Sequence, residues 1–176
     1  VKELVSEVQI RDAVERLAAE IRAREAGRPL TVIGVMTGSI VLVADLIRKL
    51  DMPLRVGIVQ ASSYRGGTQS GDLIINAELL PDIAGRDVLL VDDIFDTGRT
   101  LSQLLSHLRD LGPSSLRTAV LMLKRGRQEV QMRPDYVAFE IPDEFVVGYG
   151  LDYRDLYRNL PYIAALEPHE IAGHGG

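Results

Sequence analysis

Three carboxylates and a short polar turn concentrate the chemistry of this chain. Asp92, Asp93 and Asp96 lead directly into Thr97-Gly98-Arg99-Thr100, and the apolar run Val88-Leu89-Leu90-Val91 precedes them. Such acids suit sugar hydroxyls, a metal ion or proton transfer, and they repel a phosphate. The turn has the opposite character. Small residues entering a helix offer backbone N–H groups and the positive end of the helix dipole to an anion. The two halves together suit a phosphate held beside sugar hydroxyls, a metal ion or a proton-transfer step. The plainer alternatives are an ordinary helix start, a solvated acidic strand end, and an Asp that caps the helix.

A strand and a helix must position these groups. Val88–Val91 shows no polar alternation, the pattern of a strand buried on both faces of a parallel sheet. Open α/β sheets place their ligands at the carboxyl ends of such strands. This central strand is expected over 86–91. Leu101, Leu104, Leu105, Leu108 and Leu111 then recur at helical spacing until Gly112-Pro113. Upstream, Ser6-Glu7-Val8-Gln9 has the form of a capping box, and Ile10, Val14, Leu17, Ala18 and Ile21 continue a helix that should end near Ala26-Gly27. Strands are expected over 30–36 and 54–61, separated by the turn Thr37-Gly38-Ser39 and a helix over 40–50. The polar, glycine-rich stretch 62–70 reads as a mobile loop and 73–77 as a returning hairpin arm. Further strands are expected over 117–123, 135–141 and 146–149, with a loose tail over 167–176. Strands alternating with helices predict an α/β domain with a mainly parallel sheet.

The 176 residues fit one domain, with no internal repeat. An apolar fraction of 46% and a charged fraction of 26% are ordinary for a soluble protein, and a net charge of -5 speaks against general nucleic-acid binding. Without cysteine there is neither a disulfide nor a thiolate metal site, which fits a cytoplasmic protein. No apolar run reaches the ~18 residues of a membrane span, so no membrane partner is expected; no leader pattern is visible. His107, His169 and His174 are too scattered to read as a metal site.

The run 88–100 resembles the phosphoribosyl-pyrophosphate (PRPP) signature of the type I phosphoribosyltransferases, and most closely that of the bacterial hypoxanthine-guanine phosphoribosyltransferases. Val35-Met36-Thr37-Gly38-Ser39, Ser62-Ser63-Tyr64, Leu123-Lys124-Arg125 and Phe139 to Tyr162 are similar to the family's other segments, in the family's order. The resemblance implies the type I phosphoribosyltransferase fold: a twisted, mainly parallel sheet flanked by helices. A core over about 31–140 would carry a small hood from the N-terminal segment and about 141–166. It further implies transfer of the 5-phosphoribosyl group from PRPP to N9 of hypoxanthine or guanine in purine salvage, giving IMP or GMP and pyrophosphate. Mg²⁺ is the implied cofactor, PRPP and a 6-oxopurine the implied partners, and a homodimer or homotetramer the implied assembly.

Residue roles follow by the same resemblance. Asp96, Thr97, Gly98, Arg99 and Thr100 would cradle the 5′-phosphate. Asp92 and Asp93 would meet the ribose hydroxyls, directly or through Mg²⁺. Asp96 would also act at purine N7 as general base or hydrogen-bond acceptor. Thr37 and Gly38 match the pyrophosphate turn, where the family tends to a cis peptide between the positions of Met36 and Thr37. Arg158 would meet pyrophosphate. Lys124 would donate to purine O6, Phe145 would stack on the base beside Val146, Asp152 would approach Mg²⁺ and pyrophosphate, and backbone groups near Asp152 and Val146 would meet the purine 2-position. Ser63 and Tyr64 would head a loop that closes over the site and excludes water. Two departures stand out: the first acid, often Glu in the family, is Asp92, and Thr37 stands where many relatives carry Lys or Arg.

Asp92-Asp93-x-x-Asp96 also fits the DDxxD pattern of isoprenoid synthases, but those place it within long helices. The D-x-D-x-T pattern of haloacid dehalogenase-type phosphatases is off by one residue, and neither G-x-x-x-x-G-K-[ST] nor G-x-G-x-x-G occurs. Two alternatives stay open: a xanthine-preferring transferase and a PRPP- or nucleotide-sensing regulator on the same fold. Asp96 and Lys124 together argue against the regulator, since a sensor needs no base at N7.

Overall fold

The computed structural model describes residues 1–63 and 73–172. Its centre is a six-stranded sheet in the order β4 (Leu73–Asn76), β3 (Leu54–Ser63), β2 (Leu30–Met36), β5 (Asp87–Phe95), β6 (Ser115–Lys124), β7 (Tyr136–Ile141). Every neighbouring pair is parallel except β3 with β4. The helices α1 (Glu7–Glu25) and α2 (Ile40–Ile47) share a core with Val32, Leu89, Val91 and Leu121. Helix α3 (Arg99–Arg109) shares another with Ile33, Val88, Leu90 and Val120. Alternate residues of β5 thus enter opposite apolar layers, so Val88–Val91 needs no polar face.

The local signals formed as read. Ser6 Oγ accepts from Gln9 N (3.1 Å) and Gln9 Oε1 accepts from Ser6 N (2.8 Å), closing the capping box. Leu101, Leu104, Leu105 and Leu108 are buried on one face of α3, but Leu111, expected on the same face, lies past the end of the helix at Arg109 and is exposed.

Several boundaries differ from the expectations. Helix α2 stops at Ile47 rather than Leu50: Lys49 and Leu50 donate to Leu46 and Ile47, tightening the last turn before Pro53. Strand β3 runs on to Ser63 because β4 pairs with it through Ser63↔Leu73. The strand expected over 146–149 shrinks to β8 (Val146–Val147), since Gly148 and Tyr149 turn to φ 96° and 49°. The loose tail contains a short helix, α4 (Pro168–Ala172), tied down where Tyr153 Oη donates to the Ile171 carbonyl (2.9 Å). Residues 173–176 lie outside the described residues.

The most consequential difference concerns β5, which continues past Val91 through both acids to Phe95. Its pairing with β2 ends at Gly34↔Val91, whereas its pairing with β6 continues through Asp92↔Val120 to Phe95↔Leu123. Ladder bonds on one side hold the polar stretch extended, and the other side opens as a cleft.

A second, antiparallel sheet joins distant parts of the chain in the order β1 (Lys2–Val5), β9 (Ile163–Ala165), β8. Neither β1 nor β9 was expected, because each is too short for a period to register. No described helix is long and apolar enough to cross a membrane.

Candidate active site

Where β2 and β5 part, an open cavity of about 260 Å³ is lined by Gly38, Asp92, Asp93, Asp96, Thr97, Gly98 and Thr100, among others. The register difference positions the acids here: beyond Val91 they have no β2 partner. Asp92 is only 7% exposed, so it is no solvated strand end. Its Oδ1 accepts from Asp93 N (2.8 Å), and Asp93 Oδ1 accepts from Ile94 N (2.7 Å). Burial pushes the Asp92 carboxyl well above the usual carboxylate range, and the adjacent Asp93 charge adds to this. Burial raises Asp93 too, against hydrogen bonds and the Arg158 guanidinium, which favour its ionised form. A buried acid pair of this kind favours a cation or a developing positive charge.

The opposite wall is the turn after β2. A Cβ added at Gly38 would lie 2.0 Å from Asp93 Oδ2, so only glycine lets the turn meet the acid. The Met36–Thr37 peptide preceding it is cis. Thr37 is exposed and does not line the cavity.

The floor is the start of α3. Gly98 is the N-cap at φ 86°, and a Cβ there would lie 2.4 Å from Val130 Cγ2. Glycine brings no capping side chain, and Thr97 Oγ1 accepts from Arg99 N (3.3 Å). Asp96 does not cap the helix. Its Oδ1 accepts from Arg127 Nε (2.9 Å), and its Oδ2 lies 3.7 Å from Lys124 Nζ. The Arg99 side chain turns to Glu129 and stays off the cavity wall. A helix start with acids on its strand side can hold an anion and a polyhydroxyl group together.

The phosphoribosyl transferase domain family matches residues 1–154. The chain belongs to this family. A hypoxanthine-guanine phosphoribosyltransferase of Staphylococcus aureus is 41% identical over 166 residues, which are 94% of this chain and 93% of that protein. The crystal structure of a hypoxanthine-guanine phosphoribosyltransferase from Bacillus anthracis superposes with a TM-score of 0.91 at 38% identity, covering 95% of this chain and 99% of that one. A Trypanosoma cruzi hypoxanthine phosphoribosyltransferase in a ternary substrates complex superposes with a TM-score of 0.90 at 38% identity, covering 96% of each chain. The superpositions bear out the type I phosphoribosyltransferase fold that the resemblance implied.

The other residues singled out in this phosphoribosyltransferase sit around, not in, that cavity. Lys124 ends β6 with its side chain 12% exposed, between Asp96 (3.7 Å) and Asp143 (3.8 Å). Phe145 is 42% exposed and meets the Tyr153 ring edge-on at 5.4 Å. Val146 is buried in β8. Asp152 accepts from Asp155 N (2.8 Å) and lies 3.3 Å from Arg158 Nη2, while Arg158 Nη1 donates to the Gly150 carbonyl (2.7 Å). None of these five lines the 260 Å³ cavity. Ser63 closes β3, and Tyr64 lies outside the described residues.

Sequence reasoning missed Arg127 and Gln128. Arg127 belongs to none of the segments singled out above, yet the phosphoribosyltransferase turns it onto Asp96. No local pattern signals that contact, because it joins the β6–β7 connection to the β5–α3 loop.

Proposed function

We propose that this phosphoribosyltransferase moves the 5-phosphoribosyl group from PRPP to N9 of hypoxanthine or guanine, giving IMP or GMP and pyrophosphate in purine salvage. One observation carries the choice of base. Lys124 and Asp96 set an ammonium donor 3.7 Å from a carboxylate acceptor at the edge of the acid-lined cleft. A 6-oxopurine offers the complementary pair, the O6 acceptor beside N7.

The start of α3, with Thr97, Gly98, Arg99 and Thr100, holds the 5′-phosphate through backbone amides and hydroxyls. Asp92 and Asp93 orient the ribose hydroxyls and stabilise the positive character that grows on the ring as the bond from C1 to pyrophosphate breaks. Asp96 accepts the proton or hydrogen bond at N7 while N9 forms the new bond. Lys124 donates to O6; a 6-amino base would leave that ammonium unpaired, which disfavours it. Thr37, Gly38 and Arg158 receive pyrophosphate, with backbone amides and the Thr37 hydroxyl replacing a basic side chain. Phe145 and Val146 flank the base, and backbone groups near Val146 and Asp152 meet its 2-position.

The donor set fits Mg²⁺. Among the described residues no group of three or more His, Cys, Asp or Glu could hold a metal. This ion commonly takes one or two carboxylates and completes its shell with water and substrate phosphates. Asp92 and Asp93 are the carboxylates we assign to it, and Asp152, which is not grouped with them, would approach its water shell. Bound Mg²⁺ supplies charge neutralisation at the pyrophosphate oxygens. We further assign a cytoplasmic single-domain protein acting as a homodimer or homotetramer, with the β1-β9-β8 sheet as a hood over the purine.

The test is direct. Purified protein is incubated with PRPP, Mg²⁺ and hypoxanthine, guanine, xanthine or adenine separately, and nucleotide formation is followed by absorbance and chromatography. IMP and GMP are expected, with no AMP. Faster reaction with xanthine would favour a xanthine-preferring transferase. PRPP binding without turnover of any base would favour a sensing regulator.

A further inference from the structure

The connection from β6 to β7 lies residue by residue along the loop from Asp96 to Arg99. Arg127 Nε donates to Asp96 Oδ1 (2.9 Å), and Gln128 Nε2 donates to the Asp96 carbonyl (3.1 Å) and the Lys124 carbonyl (2.5 Å). Glu129 N donates to the Thr97 carbonyl (2.8 Å), and its carboxylate pairs with Arg99. Val130 occupies the space a Gly98 Cβ would need. None of these four residues lines the acid-lined cavity. Three of them hold the backbone or the outer side of the loop. Arg127 holds the carboxylate.

Asp96 has two cationic neighbours with different fates. Lys124 Nζ is 3.7 Å from Asp96 and 3.8 Å from Asp143, too far to fix either carboxylate by a hydrogen bond. If it donates to a purine O6, its hold on Asp96 weakens further. Arg127 is within hydrogen-bond distance of Asp96 and lies 3.8 Å from Asp143, and no part of its role requires it to leave. A guanidinium fork also fixes carboxylate direction better than an ammonium does.

We propose that Arg127 is a positioning residue for Asp96, holding Oδ1 so that Oδ2 faces the purine when Lys124 turns to the base. The proposal rests on the reading of Asp96 as the group acting at N7. Gln128, Glu129 and Val130 keep the phosphate loop in place without Arg127, so its loss should act on turnover and not on PRPP capture.

The experiment is a double-mutant cycle. Arg127→Ala, Asp96→Asn and the double variant are assayed for IMP formation, with kcat and KM for PRPP determined separately. Arg127→Ala should lower kcat about tenfold, the effect of roughly one charge-assisted hydrogen bond, with KM for PRPP changed less than about twofold. Arg127→Lys should recover part of that loss. In the Asp96→Asn background Arg127→Ala should cost less than about twofold, because interacting residues are not additive. An equal loss in both backgrounds, or a raised KM for PRPP with unchanged kcat, overturns the proposal and leaves the role of Asp96 intact. Full activity of Asp96→Asn alone removes the acid from N7, and the proposal with it. Arg127 is exposed enough to be replaced without opening the core, and the melting curve of each variant identifies one that has not folded.

Discussion

A lysine at the end of a strand is ordinarily a solvated cation, but Lys124 keeps only 12% of its side chain exposed, between Asp96 and Asp143. Burial beside two acids limits its movement. If that ammonium meets O6, Lys124→Ala should reduce kcat/KM for hypoxanthine and guanine about 10–100-fold, the range for a hydrogen bond to a charged group, while PRPP affinity measured by calorimetry stays nearly constant. Unchanged KM for both bases would show that the O6 contact is absent. Gly38 illustrates a different demand at the same scale. Its missing side chain lets the turn after β2 close onto Asp93, and charge plays no part in the requirement.

At the scale of elements, the site arises from two ladders of unequal length. β2 leaves β5 at Gly34↔Val91, and β6 stays with it to Phe95↔Leu123. The acids therefore sit on a rigid strand with one open edge, and α3 begins where that strand ends. Gly98 makes the junction, at φ 86° and against Val130 and Phe95. Gly98→Ala should cost about 1–3 kcal/mol in backbone strain alone, with steric overlap adding to it. Thermal denaturation should show Tm lowered by several degrees, since about 1 kcal/mol moves a chain of this size by roughly 2–4 °C. A variant melting with the parent would mean that the β5–α3 junction yields freely.

For the molecule as a whole, the acid pair is a liability without ligand. The folded-state pKa of Asp92 is raised by burial and by Asp93, so the folded protein binds a proton there that the unfolded chain has released. Stability from this group is therefore greatest in acid. It declines as pH rises above the unfolded value near ~3.9, and the loss is complete above the raised folded value. Asp92→Asn removes that dependence while its side-chain oxygen can still accept from Asp93 N. In EDTA and without PRPP, the variant should melt about 2–4 °C above the parent at pH 8, the effect of roughly 1 kcal/mol, and no higher than the parent at pH 4. A gap that shrinks as pH rises would show that the pair is not destabilising when ionised. The same variant should lose activity, so the site holds its acids at the expense of stability.

Much of the frame was legible from residue order alone. The capping box at Ser6, the leucine face of α3 up to Leu108 and the doubly buried run Val88–Val91 are local patterns, written in neighbours a few positions apart, and they fold as read. The polar turn with its three acids was legible for the same reason, because its chemistry lies in consecutive side chains. Tertiary structure alone decided how far β5 extends, that Asp92 is buried while Asp96 turns away from the helix to Arg127, and that the chain ends build a second sheet. Those outcomes depend on partners distant in the chain. Ladder pairing, desolvation and ion contact act between elements, so a linear string cannot display them until the fold has brought the elements together.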